Sequence, residues 1–377
     1  MNSMNVALFF TYDVSLDDWN NQKIIEREIK LYKQISEKYN IKFKFFTFGD
    51  KLDLNFEEIL KPIEIIPIYE YSKKFQNKAL NFFNSLLIPY KIKKELKDVD
   101  ILKTNQLMGS WIPIIIKILF RKKLIIRTGY NILEFSIQER RGKLKNIFYY
   151  LLTQLSLLIC DKFIVTSNAD KSYLRKNFLF NKNKLIIINN WVIKSRLPEN
   201  NKRFENKLLA VGRLEKQKNY KSMLQYISGT KFELDIVGTG SLESELREFA
   251  LNNEIRANFL GQINFEELQK LYSEYQYFMM FSDYEGHPKS LIEAMSAGCI
   301  PIVKLTKNIA DIVNDSNSIV VDEQSKNMDE LFKTRKIDHK DIKDLSKNAF
   351  EFSNNNYSID IILDSEVRLY NSLIKSY

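Results

Sequence analysis

The 377-residue chain has only two cysteines, Cys160 and Cys299, and two histidines, His287 and His339. Zinc sites draw most of their ligands from these two residue types, so no metal and no cofactor are expected. The cysteines lie far apart in apolar surroundings, which suits buried, reduced thiols in a cytoplasmic protein. A basic leader, a long apolar core and a small-residue cleavage site are missing ahead of the first apolar run, so no secretory signal is expected. The longest apolar stretches, 107–120 (broken by Lys117) and 147–160, are shorter than the roughly 18 residues a membrane-spanning helix needs. Zinc-finger spacing, RNP-like strings and basic-region heptads are also absent, so nucleic acid is not an expected partner.

What is present describes a folded, two-domain chain. Its length exceeds the size at which one hydrophobic core stops growing, and hydrophobic residues make up 45% with charged residues at 28%. The net charge of +10 is unevenly spread: residues 1–200 carry 34 Lys and Arg against 20 Asp and Glu, the remainder 23 against 27. Residues 101–150 alone hold ten basic and two acidic side chains, interleaved with Trp111, Phe120, Tyr130, Phe135, Phe148 and Tyr149. A surface of that kind suits an anionic membrane face or a phosphorylated substrate.

Apolar runs rich in Ile, Val and Phe alternate with segments of helical period, the pattern of parallel-sheet α/β domains. Strands are expected at 5–10, 42–47, 101–104, 123–127, 162–166 and 184–188, then at 207–211, 233–237, 258–260, 277–281 and 300–303. The clearest helix is 23–37, with Ile24, Ile25, Ile29, Tyr32 and Ile35 on one face. The polar segment 189–205, with Pro198, is the expected hinge. The domains are accordingly 1–195, 196–355, and a last helix, 356–377, that can pack back on the first domain. Two doubly wound, Rossmann-like domains facing an interdomain cleft would gather strand ends and helix N-termini there, which favours a ligand carrying phosphate.

The most informative string is Ser282-Asp283-Tyr284-Glu285-Gly286-His287-Pro288-Lys289-Ser290-Leu291-Ile292-Glu293-Ala294-Met295-Ser296-Ala297-Gly298. A strand ends before it, and Pro288 sits in the first turn of the helix that follows, where its fixed φ fits. The backbone amides of Lys289 to Leu291 are then available to a diphosphate and to sugar hydroxyls. Glu285 lies beside that site, and Glu293 is about two turns further on. A second string, Val211-Gly212-Arg213-Leu214-Glu215-Lys216-Gln217-Lys218-Asn219, follows the first strand of the second domain and offers two cations.

Together the strings resemble the retaining, GT-B-fold glycosyltransferases of family 4, whose Glu-x7-Glu signature matches Glu285 and Glu293. The resemblance implies that Glu285 lies against the donor sugar at the reacting centre and that Glu293 binds the nucleotide's ribose. It implies a donor-diphosphate role for Arg213 and Lys218, and donor contacts from Gly212, Gly286, His287, Pro288, Lys289, Ser290 and Leu291. Two fixed cations would stabilise the charge that grows as a nucleoside diphosphate departs. Val237-Gly238-Thr239-Gly240 and Phe259-Leu260-Gly261-Gln262 fit the family's strand-turn steps. A third glycine of the dinucleotide fingerprint is absent, with Glu243 in its place, which argues against a nicotinamide dehydrogenase.

The first domain departs from the family pattern. The loop Thr11–Trp19 has no glycine, and the domain has no histidine. Acceptor-side candidates are Ser15, Trp19, Asn105, Arg127 and Tyr130; for Arg127 the alternative is a strand-end surface arginine. Asp98-Val99-Asp100 is similar to the metal-binding aspartates of the other glycosyltransferase architecture, but it opens a buried strand instead. The expected protein is a metal-independent hexosyltransferase of bacterial surface polysaccharide or lipopolysaccharide synthesis. Its partners would be a nucleoside-diphosphate sugar, a glycan or lipid-linked acceptor, and the inner face of the cytoplasmic membrane, touched by the basic domain. A nucleotide-sugar epimerase of the same fold and a non-catalytic nucleotide-sugar-binding subunit are the alternatives.

Overall fold

A computed structural model describes residues 3–195, 197, 203–322 and 324–374. The chain divides into two compact units, Met1–Ile188 with Leu363–Tyr377, and Asn189–Ile362. The boundaries thus fall at 188/189 and 362/363, beside the 195/196 and 355/356 expected. Of the expected hinge, 196 and 198–202, Pro198 among them, lie outside the described residues.

The first unit holds a seven-stranded sheet made of β1 (Met4–Phe9), β2 (Ile41–Thr47), β3 (Glu64–Pro67), β4 (Ile101–Thr104), β5 (Lys123–Arg127), β6 (Lys162–Val165) and β7 (Leu185–Ile187). Every pairing is parallel, in the order β3-β2-β1-β4-β5-β6-β7. Parallel sheets are covered on both faces, so their strands read as continuous apolar runs; Val6 to Phe9 of β1 are fully buried. The helix Ile25–Lys38 buries Ile25, Ile29, Tyr32 and Ile35 as its period predicts, and Leu31 as well, whereas Ile24 is its N-cap residue.

The second unit repeats the plan with β8 (Phe204–Val211), β9 (Glu233–Val237), β10 (Ala257–Gly261), β11 (Tyr275–Met280), β12 (Ile300–Val303) and β13 (Ile319–Val320). The order is β10-β9-β8-β11-β12-β13, again parallel throughout. Both sheets are therefore the expected doubly wound α/β type. The edge strands β3 and β13 were not expected: β13 is only two residues long, and β3 is a four-residue run begun by exposed Glu64 and ended by Pro67, so each is defined by pairing to a neighbour. In each sheet the order reverses once, between β1 and β4 and between β8 and β11. Ligands of open α/β sheets bind at the carboxyl ends of strands at such reversals.

From Leu363 onward, the helix Ile359–Ile374 belongs to the first unit. Its Glu366 receives a 2.7 Å bond from Lys103 of β4, and both side chains are essentially without solvent exposure. Lys103 also donates to Tyr370 Oη at 2.9 Å. A guanidinium nitrogen of Arg127 lies 3.6 Å from the other Glu366 oxygen. Burial draws the Lys103 ammonium down to about 8, against the pull of Glu366. Burial alone would raise the Glu366 carboxyl, but Lys103 and Arg127 hold it below its ordinary value. Buried charge is tolerated only when partnered in this way.

Candidate active site

The loop after β8 and the loop after β11 leave the carboxyl ends of the two adjacent strands at the order reversal, so side chains 67 residues apart in sequence become neighbours. Lys218 Nζ donates to Glu285 Oε1 at 2.5 Å, with both side chains largely buried. The loops are laced together around that pair. Gln217 donates to the Tyr284 carbonyl at 2.8 Å and its own carbonyl accepts from Asp283 N. Asn219, in the left-handed region at φ 50°, donates to the Asp283 carboxylate at 2.9 Å. Asparagine tolerates that backbone conformation better than most residues, and here it ends one short turn and starts the helix Tyr220–Ile227. Below the pair, buried Tyr220 bonds to the Gly212 carbonyl at 2.9 Å. Burial first, and the Glu285 charge second, push its phenol above the ordinary range.

The turn after β9 closes on the same loop. A Cβ on Gly238 would sit 2.1 Å from the Gly212 carbonyl oxygen, and one on Gly240 would sit 2.4 Å from that of Leu214. Only glycine allows this approach, which two backbone bonds seal: Gly212 N to Val237 O and Leu214 N to Thr239 O. Ser241 completes the clamp through its amide and hydroxyl on Glu215, whose carboxyl these bonds hold below its ordinary value. Arg213 stands exposed at the loop's outer side, within electrostatic range of Glu215.

Gly286, His287 and Pro288 are buried, and Pro288 is the N-cap of the helix Lys289–Ser296. Asn190 fixes the turn from the side by donating to the His287 carbonyl at 2.6 Å, while the His287 ring meets Tyr357 edge-on at 4.9 Å. Lys289 and Ser290 are half-buried and Leu291 is fully buried. Glu293 is buried and accepts from Tyr272 Oη at 3.3 Å. The fold thus brings together Gly212, Lys218, Glu285 and the start of the helix at one sheet reversal. Reading by sequence missed the supporting residues Glu215, Gln217, Asn219, Ser241 and Asp283. Their one legible signal was an Asn at a helix start.

In the first unit, Ser15 and Asn105 lie in the loops that leave β1 and β4 at the other reversal. Ser15 caps the helix Leu16–Asn21 in a reciprocal box with Asp18. Trp19 is buried, stacked on Phe10 with ring centroids 4.2 Å apart. Asn105 gives its amide to the Phe9 carbonyl and is half-buried. Arg127 points to Glu366 and the Ile188 carbonyl, an inward setting that replaces the strand-end surface alternative. Tyr130 stacks on Phe135 at 4.7 Å. The glycine-free loop turns through Asp13, at φ 63°, and Gly109 from the loop after β4 leaves room for Tyr12, whose amide would lie 3.1 Å from a Cβ there. Asp98 and Asp100 hold the sheet instead: Asp100 accepts from Asn5 N of β1 at 2.8 Å, and the Asp98 carboxylate from Lys44 of β2 at 3.0 Å. Among the described residues no group of three or more His, Cys, Asp or Glu is arranged to hold a metal ion.

Two parallel-sheet, Rossmann-like units give the chain the GT-B fold. Its solved likenesses include a cyanobacterial protein, Anabaena Alr3699/HepE, in complex with UDP and glucose, at TM-score 0.75 and 14% identity over 98% of this chain and 100% of the other. They also include the sucrose-phosphate synthase of Thermosynechococcus elongatus, at 0.75 and 16% over 99% and 100%. Residues 193–352 match the family described as glycosyl transferases group 1. Among relatives, the O-antigen biosynthesis glycosyltransferase WbnH of Escherichia coli is 31% identical over 59% of this chain and 63% of its own length. The Staphylococcus aureus capsular polysaccharide biosynthesis glycosyltransferase CapH is 27% identical over 46% and 51%. The chain thus spans less than two thirds of the length of these relatives.

Proposed function

We propose that the chain is a retaining glycosyltransferase of family 4 type. It moves a sugar from a nucleoside-diphosphate donor to a glycan or lipid-linked acceptor in bacterial surface-polysaccharide synthesis, without a metal ion. The observation that carries this reading is the Lys218–Glu285 contact at the carboxyl ends of β8 and β11. It joins two strings that separately resemble the family, at the position where the sheet topology favours an anionic ligand. The relatives named for O-antigen and capsular polysaccharide synthesis support the pathway.

In this reading the donor diphosphate lies over the start of the helix Lys289–Ser296 and draws Lys218 and Arg213. Glu285 orients the sugar and stabilises positive charge at its anomeric carbon. The bond from that carbon to the diphosphate breaks as the acceptor oxygen attacks the same face, and the acceptor proton passes to the departing phosphate oxygen. Glu293 holds the ribose. Lys218 and Arg213 stabilise the two charges left on the leaving group, which is the moment when fixed cations contribute most.

A panel of nucleotide sugars screened for slow hydrolysis tests the proposal, with UDP-sugars first because the Anabaena neighbour holds UDP. One donor should release free sugar and nucleotide. Nucleotide binding without any turnover would leave a binding subunit and refute catalysis.

A further inference from the structure

We infer that the solvent face of the helix Lys143–Ile159 in the first unit is a docking surface for an anionic lipid membrane. This deepens the lipid-linked acceptor reading and rests on it only for why a membrane should be near. The helix buries Leu152, Thr153, Ser156 and Leu157 against its own unit. A surface helix normally turns polar residues outward. Here Leu144, Ile147, Leu151, Leu155 and Leu158, spaced 3, 4, 4 and 3 residues apart, are between 43% and 84% exposed. Of the aromatic residues expected on this surface, Trp111 is buried and packed against Phe82 and Phe148, and the others are half-buried. A second apolar row, Leu80, Phe83, Leu87 and Tyr90, is between 53% and 64% exposed along the helices Lys78–Ser85 and Ile88–Lys91 and the turn that joins them. The Phe82 and Phe148 rings, 6.2 Å apart, bring the two helices together. Exposed apolar rows of this extent mark a surface that meets something apolar.

Charge selects the partner. The helix Lys143–Ile159 contains no acidic residue and begins with Lys143 and Lys145. Cations at a helix N-terminus oppose its dipole, so their placement serves something other than the helix. Arg140, Lys143 and Lys145 are exposed beside the leucine row, and Lys78 and Lys91 beside the other. A second copy of the chain would set these cations against their equivalents, with no acidic side chain on the helix to pair them. An anionic leaflet accepts both the leucines and the lysines. No helix among the described residues is long and apolar enough to cross a membrane, so this helix would lie along the surface.

Flotation of the full chain with phosphatidylcholine vesicles, with and without about a third phosphatidylglycerol, tests the inference. Binding should require the anionic lipid and weaken with salt. Leu151→Ser with Leu155→Ser should lower partitioning by more than about tenfold, and Lys143→Glu with Lys145→Glu by about tenfold or more. Nucleotide binding, measured separately, should be unchanged in both and reports that the fold is intact. Failure to bind anionic vesicles at low salt, or binding indifferent to both pairs of substitutions, overturns the inference while leaving the transferase reading untouched. A dimer in sedimentation that depends on Leu151 and Leu155, without vesicle binding, assigns the face to a second copy and also overturns it.

Discussion

Glu285→Gln separates the chemistry of the site from its architecture. The substitution keeps the shape and an acceptor oxygen beside Lys218 but removes the charge from a side chain only 6% exposed. A hydrogen bond to a charged group contributes about 1.5–3 kcal/mol; the amide oxygen would still accept from the Lys218 ammonium and lose only the ionic part, roughly 1–2 kcal/mol. Lys218, at 16% exposure, still reaches water and offsets part of the cost. For units of this size that loss lowers the melting temperature by about 2–8 °C, and the protein stays folded at assay temperature. Turnover should fall by about 10²–10³-fold, the usual consequence of removing one group that stabilises transition-state charge. Nucleotide affinity should move the other way. In the free protein Lys218 is held by Glu285, and a diphosphate must compete for it; without the carboxylate that competition ends, so UDP or the cognate diphosphate should bind as well or a few-fold tighter. Calorimetric titration beside a donor-hydrolysis assay reads both quantities. A folded Glu285→Gln protein with full turnover, or one binding the nucleotide ten-fold more weakly, would refute this reasoning.

Three further outcomes follow from the geometry. Gly240→Ala should force the loop after β8 outward, because its Cβ would meet the Leu214 carbonyl at 2.4 Å; a cost of about 1–3 kcal/mol should appear in thermal melts together with weakened nucleotide binding. Glu366, held below its ordinary value in the fold, stabilises the first unit above the unfolded carboxyl pKa of about 4.3 and loses that contribution as pH falls through its folded pKa. The acid limb of the melting profile should therefore flatten in a Lys103→Met, Glu366→Leu double variant, and an unchanged limb would refute the assignment. Burial pushes both thiols, Cys160 and Cys299, up to about 12, so a thiol reagent should label neither at neutral pH until the protein unfolds.

The α/β class, most strands and helices, and both strings of the candidate site were legible in the sequence. Strand and helix periods are local, and a strand buried on both faces announces itself as an unbroken Ile, Val and Phe run. The strings were legible because they are contiguous: a strand end, a turn and a helix start within about a dozen residues. Tertiary structure decided what those strings do to one another. That Lys218 reaches Glu285 depends on β8 and β11 being neighbours, and nothing in either segment specifies the 63 residues of β9 to β10 topology that lie between their strands. The glycines at 238 and 240, which read as a plain turn, prove to be the room left for a loop 26 residues upstream. Arg127 read as an acceptor-side candidate, with a strand-end surface arginine as the alternative; its partner Glu366, 239 residues away on the last helix, could not be foreseen from either segment. The apolar stretch 147–160 read only as too short to span a bilayer, since an apolar side chain carries no mark of which face will be covered. Covering is settled by the rest of the fold, and here it leaves one apolar row in solvent beside lysines.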